Sequence, residues 1–143
     1  MTQCQEIMKR DVEWMTPRES AHDAARTMRD ENIGFLPVCD EGMKVLGTVT
    51  DRDIAIRLVA DSQPASTAIE HIMTREVIAC LAADDITAAE ELMAEHRKSR
   101  IMCVDDDGRL VGVISLSDIA KLDGAAAAST LKEVSRRESH VRA

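Results

Sequence analysis

Aromatic side chains are almost missing from this chain: Trp14 and Phe35 stand alone, and there is no tyrosine. Any ligand is therefore held by something other than an aromatic cage. With three prolines and six glycines, collagen-like and Pro/Gly-rich disordered compositions are excluded, and no glycine-rich phosphate loop can be drawn. Apolar runs extend over only a few residues, far short of the roughly 20 that cross a bilayer. Near the N-terminus Lys9, Arg10 and Asp11 stand where a secretory signal needs an apolar run, so a cytoplasmic protein without a membrane partner is expected. Basic residues are in deficit, with 18 Lys and Arg against 26 Asp and Glu and a net charge of −8. Phosphate-backbone binding needs the opposite balance, and nucleic acid is not expected as a partner.

Catalytic apparatus is equally thin. His22, His71, His96 and His140 lie far apart, in no metalloprotease or nucleophile-elbow pattern, so no catalytic residue is assigned and the chain is not expected to be an enzyme. Cys4, Cys39, Cys80 and Cys103 form no C-x-x-C pair and have no zinc-type His spacing. They read as small hydrophobes in a reducing compartment, with no metal site.

What is present is a duplication within 143 residues that are 45% apolar and 31% charged, enough to bury a core without disulfides or metals. Shifting the sequence by 65 residues brings stretches 7–56 and 72–121 into register without a gap. Identical pairs are Ile7/Ile72, Met8/Met73, Arg10/Arg75, Val12/Val77, Ala24/Ala89, Met28/Met93, Asp40/Asp105, Gly47/Gly112, Asp53/Asp118, Ile54/Ile119 and Ala55/Ala120. Two copies predict a pseudo-twofold unit.

Each copy predicts the same elements. A short extended piece (Val12–Met15 or Val77–Cys80) precedes a helix with buried positions Ala21, Ala24, Ala25 and Met28, or Ile86, Ala89 and Met93. Ser20-x-x-Asp23 resembles a capping box at the first helix. Strands then run over Phe35–Cys39 and Val45–Thr50, or Ile101–Val104 and Leu110–Ser115, with acidic Gly-containing turns between them. A second helix begins near Asp51 or Leu116. Residues 61–66, with Pro64, read as a linker, and the tail from Asp123 as a marginal exposed helix or a frayed end.

Both hairpins end in Gly-h-h-[Thr/Ser]-x-x-Asp: Gly47 to Asp53 and Gly112 to Asp118. One reading is a helix capping box that needs no ligand. The other is that a hydroxyl and a carboxylate stand side by side at a helix start, able to accept the two hydroxyls of a ribose.

With the repeated Ile-Met ahead of each first strand and the Gly34-Phe35-Leu36-Pro37-Val38-Cys39-Asp40 strand and turn, the tandem motif resembles the cystathionine beta-synthase (CBS) domain pair, or Bateman module, over residues 5–122. The resemblance implies an α/β fold of two β-α-β-β-α repeats at 5–60 and 67–122, joined by the 61–66 linker and followed by the 123–143 tail. It also implies a regulatory module for AMP, ADP, ATP, S-adenosylmethionine or NAD, signalling by conformational change, with no catalytic cofactor. By the same match Thr50 and Asp53 would hold one ribose and Ser115 and Asp118 another, with Val49, Pro37, Ile114 and Met102 as aliphatic walls for the base. Backbone near Ala79 and Trp14 would select adenine. Arg100, whose counterpart is Phe35, matches a phosphate-binding arginine of some members, while Thr74 and Lys98 would be crossing contacts to the first site. A homodimer forming a four-repeat disc and a separate effector protein are further implications. The alternative is a structural or protein-interaction module that binds no nucleotide.

Overall fold

A computed structural model describes residues 1–122 and 124–141. The chain divides into two compact units, one formed by Glu13–Val77 and the other by Met1–Val12 together with the chain from Ile78 onward. The segment that leads each sequence copy is thus built into the unit containing the other copy's hairpin, and the 61–66 segment lies inside the first of these units.

In the Glu13–Val77 unit, α2 (Ala21–Glu31; α1 is Cys4–Ile7) starts where Ser20 Oγ accepts the Asp23 N–H at 3.0 Å, satisfying one orphan amide of the first turn. The helix buries Ala21, Ala24 and Met28, which share one helical face, and leaves Ala25, expected on that face, exposed. It stops at Asn32, whose left-handed backbone (φ 55) returns its N–H to Met28. Antiparallel strands β1 (Phe35–Cys39) and β2 (Val45–Thr50) follow. Their turn is tied by Asp40, whose Oδ1 accepts the Gly42 and Lys44 N–H groups at 2.9 Å. Leu36, Val38 and Val49 are fully buried against Met15, Ala24, Met28, Leu58 and Ile69, contributing about 1.5–3 kcal/mol each. Of the expected extended piece before α2, only Met15 pairs, in a parallel bridge with Val38. The second helix begins as α3 (Asp51–Asp53) and widens at once into a π-helical segment, Ile54–Val59.

The other unit repeats the pattern with β3 (Ala79–Leu81), α4 (Ile86–His96), β4 (Arg100–Val104), β5 (Leu110–Ser115) and α5 (Leu116–Ala120). Its sheet order is β3-β4-β5, the first pair parallel and the second antiparallel. Hydrogen bonds recur at the 65-residue offset. Asp105 Oδ1 binds the N–H groups of Asp107 and Arg109 as Asp40 does in its own turn. Arg97 ends α4 in the left-handed conformation that Asn32 adopts. Arg10 and Arg75 each donate to a carbonyl five residues earlier, Gln5 and Glu70.

Of the two expectations for the tail, an exposed helix or a frayed end, the helix is the one that forms. From Gly124 to Val141 the chain forms α6, which packs on α4 and α5 and buries Thr130. The Leu131-x-x-Val134 spacing signalled a helix; its packing partners lie too far back in sequence for periodicity to reveal. No described helix is long and apolar enough to cross a membrane.

Candidate functional site

Each unit carries one strand-to-helix junction of the same construction. Upstream of it a glycine lets a lead segment pass close by: a Cβ on Gly47 would lie 2.1 Å from the Thr74 carbonyl oxygen, and one on Gly112 would lie 2.7 Å from Met8 Sδ and 2.8 Å from the Lys9 carbonyl. The passing segments bridge the hairpins at equivalent places, Thr48 with Thr74 and Val113 with Lys9.

At the junctions both capping boxes form. Asp53 N–H donates to Thr50 Oγ1 at 3.1 Å, and Thr50 N–H donates to Asp53 Oδ2 at 3.0 Å. The corresponding distances in the Ser115–Asp118 box are 3.2 and 3.0 Å, and Ser115 Oγ shares a further 2.8 Å bond with Ser117 Oγ. Asp53, Ser115 and Asp118 are buried. Each carboxylate has two oxygens and several acceptor positions, and a box uses one of them.

The junctions then diverge. Thr74 Oγ1 donates to Asp53 Oδ1 at 3.2 Å, and Arg57 Nε stands 3.9 Å from the same oxygen while its Nη1 donates to the Met73 carbonyl at 2.8 Å. In the other unit Asp118 accepts from Ser115 N–H, and the counterparts of Thr74 and Arg57 are Lys9 and Leu122. There Arg100 pairs in register with Ser115 across β4 and β5, where Phe35 pairs with Thr50 in the first unit. Arg100 is exposed. The end of this hairpin therefore carries the Ser115 hydroxyl and Asp118 carboxylate with an arginine at the facing strand position, residue types suited to a phosphate beside a diol.

The remaining expected site residues fall as follows. Val49 and Ile114 lie in the apolar cores of their units. Pro37 and Met102 are buried on the alternate face of their strands from Leu36 and Val38, or Ile101 and Cys103. Ala79 is half-buried and pairs with Met102; Trp14 is half-buried and Lys98 exposed. Thr74, expected as a crossing contact to the first site, donates its hydroxyl to Asp53.

Sequence reasoning missed two groups. Arg57 was hidden because its partners, Asp53 and the Ile72–Met73 carbonyls, are joined only by the fold. Three cysteines taken as scattered converge: Cys80 Sγ lies 3.6 Å from both Cys4 Sγ and Cys103 Sγ. Hydrogen bonds from Cys103 and then Cys80 pull the Cys4 thiol down to about 4. The Cys103 bond pulls Cys80 down too, but its bond to Cys4 and burial outweigh this and push it up to about 12. Cys103 is raised, chiefly by its bond to Cys4. Cys39, apart from the cluster, is pushed up to about 11 by burial and then by Asp40. Among the described residues no group of His, Cys, Asp or Glu is arranged to hold a metal ion.

Comparison with known proteins agrees with this architecture. The CBS domain family model matches residues 4–60 and 69–124. The chain is 30% identical over 142 residues to the CBS domain-containing protein YhcV of Bacillus subtilis, covering 98% of this chain and 100% of that one. It is 33% identical over 122 residues to hypoxic response protein 1 of Mycobacterium tuberculosis, covering 85% of each; the crystal structure of that protein, with two coordinated zinc ions, superposes with a TM-score of 0.78 at 30% identity, covering 85% of this chain and 98% of that one. The CBS domain pair of protein MJ0100, solved with 5'-methylthioadenosine and S-adenosyl-L-methionine, gives a TM-score of 0.75 at 30% identity, covering 87% of this chain and 98% of that one. Two CBS domain matches spanning most of its length, on a duplicated α/β architecture, place this chain in the CBS domain family.

Proposed function

We propose that this chain is a regulatory module that senses an adenosine-containing ligand, AMP or ATP first and ADP, NAD or S-adenosylmethionine as chemical relatives, without catalysing a reaction. The observation that carries this reading is the register of Arg100 on Ser115, one turn from the Asp118 carboxylate. That trio offers a cation for phosphate and acceptors for a ribose diol. The adenosine ligands of the MJ0100 pair support the ligand class. Repeats at 5–60 and 67–122, flanking a 61–66 linker and followed by a 123–143 tail, are the domain bounds that go with this reading.

Signalling follows if the ligand binds one arrangement of the protein more tightly than another. Output passes to a separate effector protein in the cytoplasm. A homodimer fits the exposed Ile56 and Val59 on the π-helical segment, and a monomer in sedimentation would remove that part of the reading.

The decisive test is isothermal titration of nucleotide-stripped protein with AMP, ATP, NAD and S-adenosylmethionine. Binding of at least one ligand, weakened about tenfold or more in Asp118→Ala, is expected. A second reading, in which the junctions serve only as helix caps of an interaction module, is favoured by the completeness of both capping boxes. No heat with any of the four ligands would decide for it.

A further inference from the structure

The Cys4, Cys80 and Cys103 cluster plays no part in the ligand site. Its sulfurs come from three elements of one unit, namely α1, β3 and β4. The fold has no need of sulfur there. At the 65-residue offset the same three positions in the other unit are Ile69, Met15 and Val38, all buried in an apolar cluster with the same parallel pairing of Met15 on Val38 as Cys80 on Cys103. Aliphatic packing meets the structural requirement, and two thiols held 3.6 Å from a third, Cys80, add chemistry that packing does not explain.

We propose that Cys4 and Cys80 form a reversible disulfide when the protein meets hydrogen peroxide. The two sulfurs must close from 3.6 Å to about 2.05 Å. Cys4 sits on α1, a four-residue helix near the chain start that is tied by backbone hydrogen bonds to Ala82 and Asp84 and lies outside the β3-β4-β5 sheet. Cys103 lies on β4, held by backbone pairing to β3 and β5 on both sides, and is the less able to move. Cys80, on the edge strand, retains 4% exposure while Cys4 and Cys103 have none, so the cluster meets solvent at Cys80. Cys80 is therefore the sulfur that peroxide meets, and the lowered Cys4 thiol, 3.6 Å away, is the base that takes the Cys80 proton.

The chemistry balances with peroxide as sole oxidant. Cys80 passes its proton to Cys4, the Cys80 sulfur attacks one peroxide oxygen, the O–O bond breaks, and the departing hydroxide takes a proton from solvent to become water. The Cys4 sulfur then attacks the Cys80 sulfenic acid, the S–S bond forms, the S–O bond breaks, and the Cys4 proton leaves with that hydroxyl as a second water. Two thiols lose two electrons, and peroxide becomes two waters.

The bond spans 76 positions, and the loop it closes encloses the whole Glu13–Val77 unit. It would clasp together the chain entering that unit and the chain leaving it, so that unfolding of the unit could no longer separate its two ends.

The test uses the reduced full-length protein, treated with hydrogen peroxide, alkylated under denaturing conditions and digested without reductant. Two of the four thiols should be lost, a Cys4–Cys80 peptide pair should appear with two hydrogens fewer, and dithiothreitol should reverse it. The other unit supplies the conservative variants. Cys4→Ile and Cys80→Met should abolish the cross-link, whereas Cys103→Val and Cys39→Val should keep it. Circular dichroism identifies any variant that fails to fold, in which case the wild-type peptide map decides. Four thiols still free after treatment, a Cys80–Cys103 or intermolecular bond, sulfinic acid without a cross-link, or stoichiometric zinc in the reduced protein would each overturn the proposal.

Discussion

Thr74 hydrogen bonds to Asp53 at 3.2 Å, and no described residue does the same for Asp118, whose register counterpart of Thr74 is Lys9. Two carboxylates produced by one duplication have been put to different use. Asp53 is occupied by Thr50, Thr74 and Arg57 from within the protein, so a ligand hydroxyl there must displace an existing partner. Asp118 has acceptor capacity left.

The Ser115–Asp118 junction is accordingly expected to bind first and tighter. Asp118→Ala should weaken binding of the preferred adenosine ligand by about tenfold to a hundredfold, the worth of a hydrogen bond to a charged group. Asp53→Ala should change it by less than about threefold. Stability should follow the reverse order. Asp118→Ala loses a cap, about 1 kcal/mol, while Asp53→Ala also strands Thr74 and costs about 2 kcal/mol. Titration calorimetry and urea unfolding of both variants separate the two effects; equal loss of binding in both would reject the asymmetry.

Arg100 provides a second check, directed at phosphate. Replacing it with Met keeps length and strand position but removes the guanidinium. AMP affinity should fall about tenfold or more, whereas adenosine itself, which has no phosphate, should bind as before. A parallel loss for both ligands would mean that Arg100 shapes the junction instead of binding phosphate.

The duplication carried most of what was legible in advance. Local signals such as the Ser20 cap, the Asp40 and Asp105 turns and the two capping boxes were readable because each depends on residues within five positions of one another. The exchange of lead segments was not, because nothing in Met8–Lys9 or Thr74–Arg75 says which hairpin they will pair with; only Gly47 and Gly112, spared a Cβ where those segments pass, hint at it. The bond from Thr74 to Asp53 was hidden for the same reason, since it spans 21 positions. The cysteine cluster was missed because its members lie 76 and 23 positions apart, although writing the two copies in register places Cys80 and Cys103 over a bonded pair.

The close approach at those glycines yields a third prediction. In Gly47→Ala the new Cβ meets a backbone carbonyl at 2.1 Å, which only movement of the 73–75 segment can relieve. In Gly112→Ala it meets the flexible end of Met8 at 2.7 Å and a backbone carbonyl at 2.8 Å. Overpacking generally costs about 1–3 kcal/mol and occasionally more, so Gly112→Ala should fall within that range and Gly47→Ala at or above its top. Urea midpoints compared at constant m-value measure both, and a Gly47→Ala protein as stable as wild type would show that the lead segment is not fixed there.

Cys39 makes stability depend on alkaline pH in a predictable direction. Burial raises its thiol from about 9 to about 11, so between those values the unfolded chain releases a proton that the folded chain keeps. The neutral thiol's contribution is complete below about pH 9 and is lost as pH rises through 11, at about 1.4 kcal/mol per pH unit. Solvent relaxation around the site makes that rate an upper bound. Its register counterpart is Val104, which makes Cys39→Val the fold-conserving control. Denaturant unfolding at pH 8 and pH 10 should show the wild type losing about 1 kcal/mol more than Cys39→Val over that interval. Both proteins share the alkaline response of Cys80 and Cys103, so the difference isolates Cys39, and parallel losses would mean that its thiol ionises in the folded protein as readily as in the unfolded one.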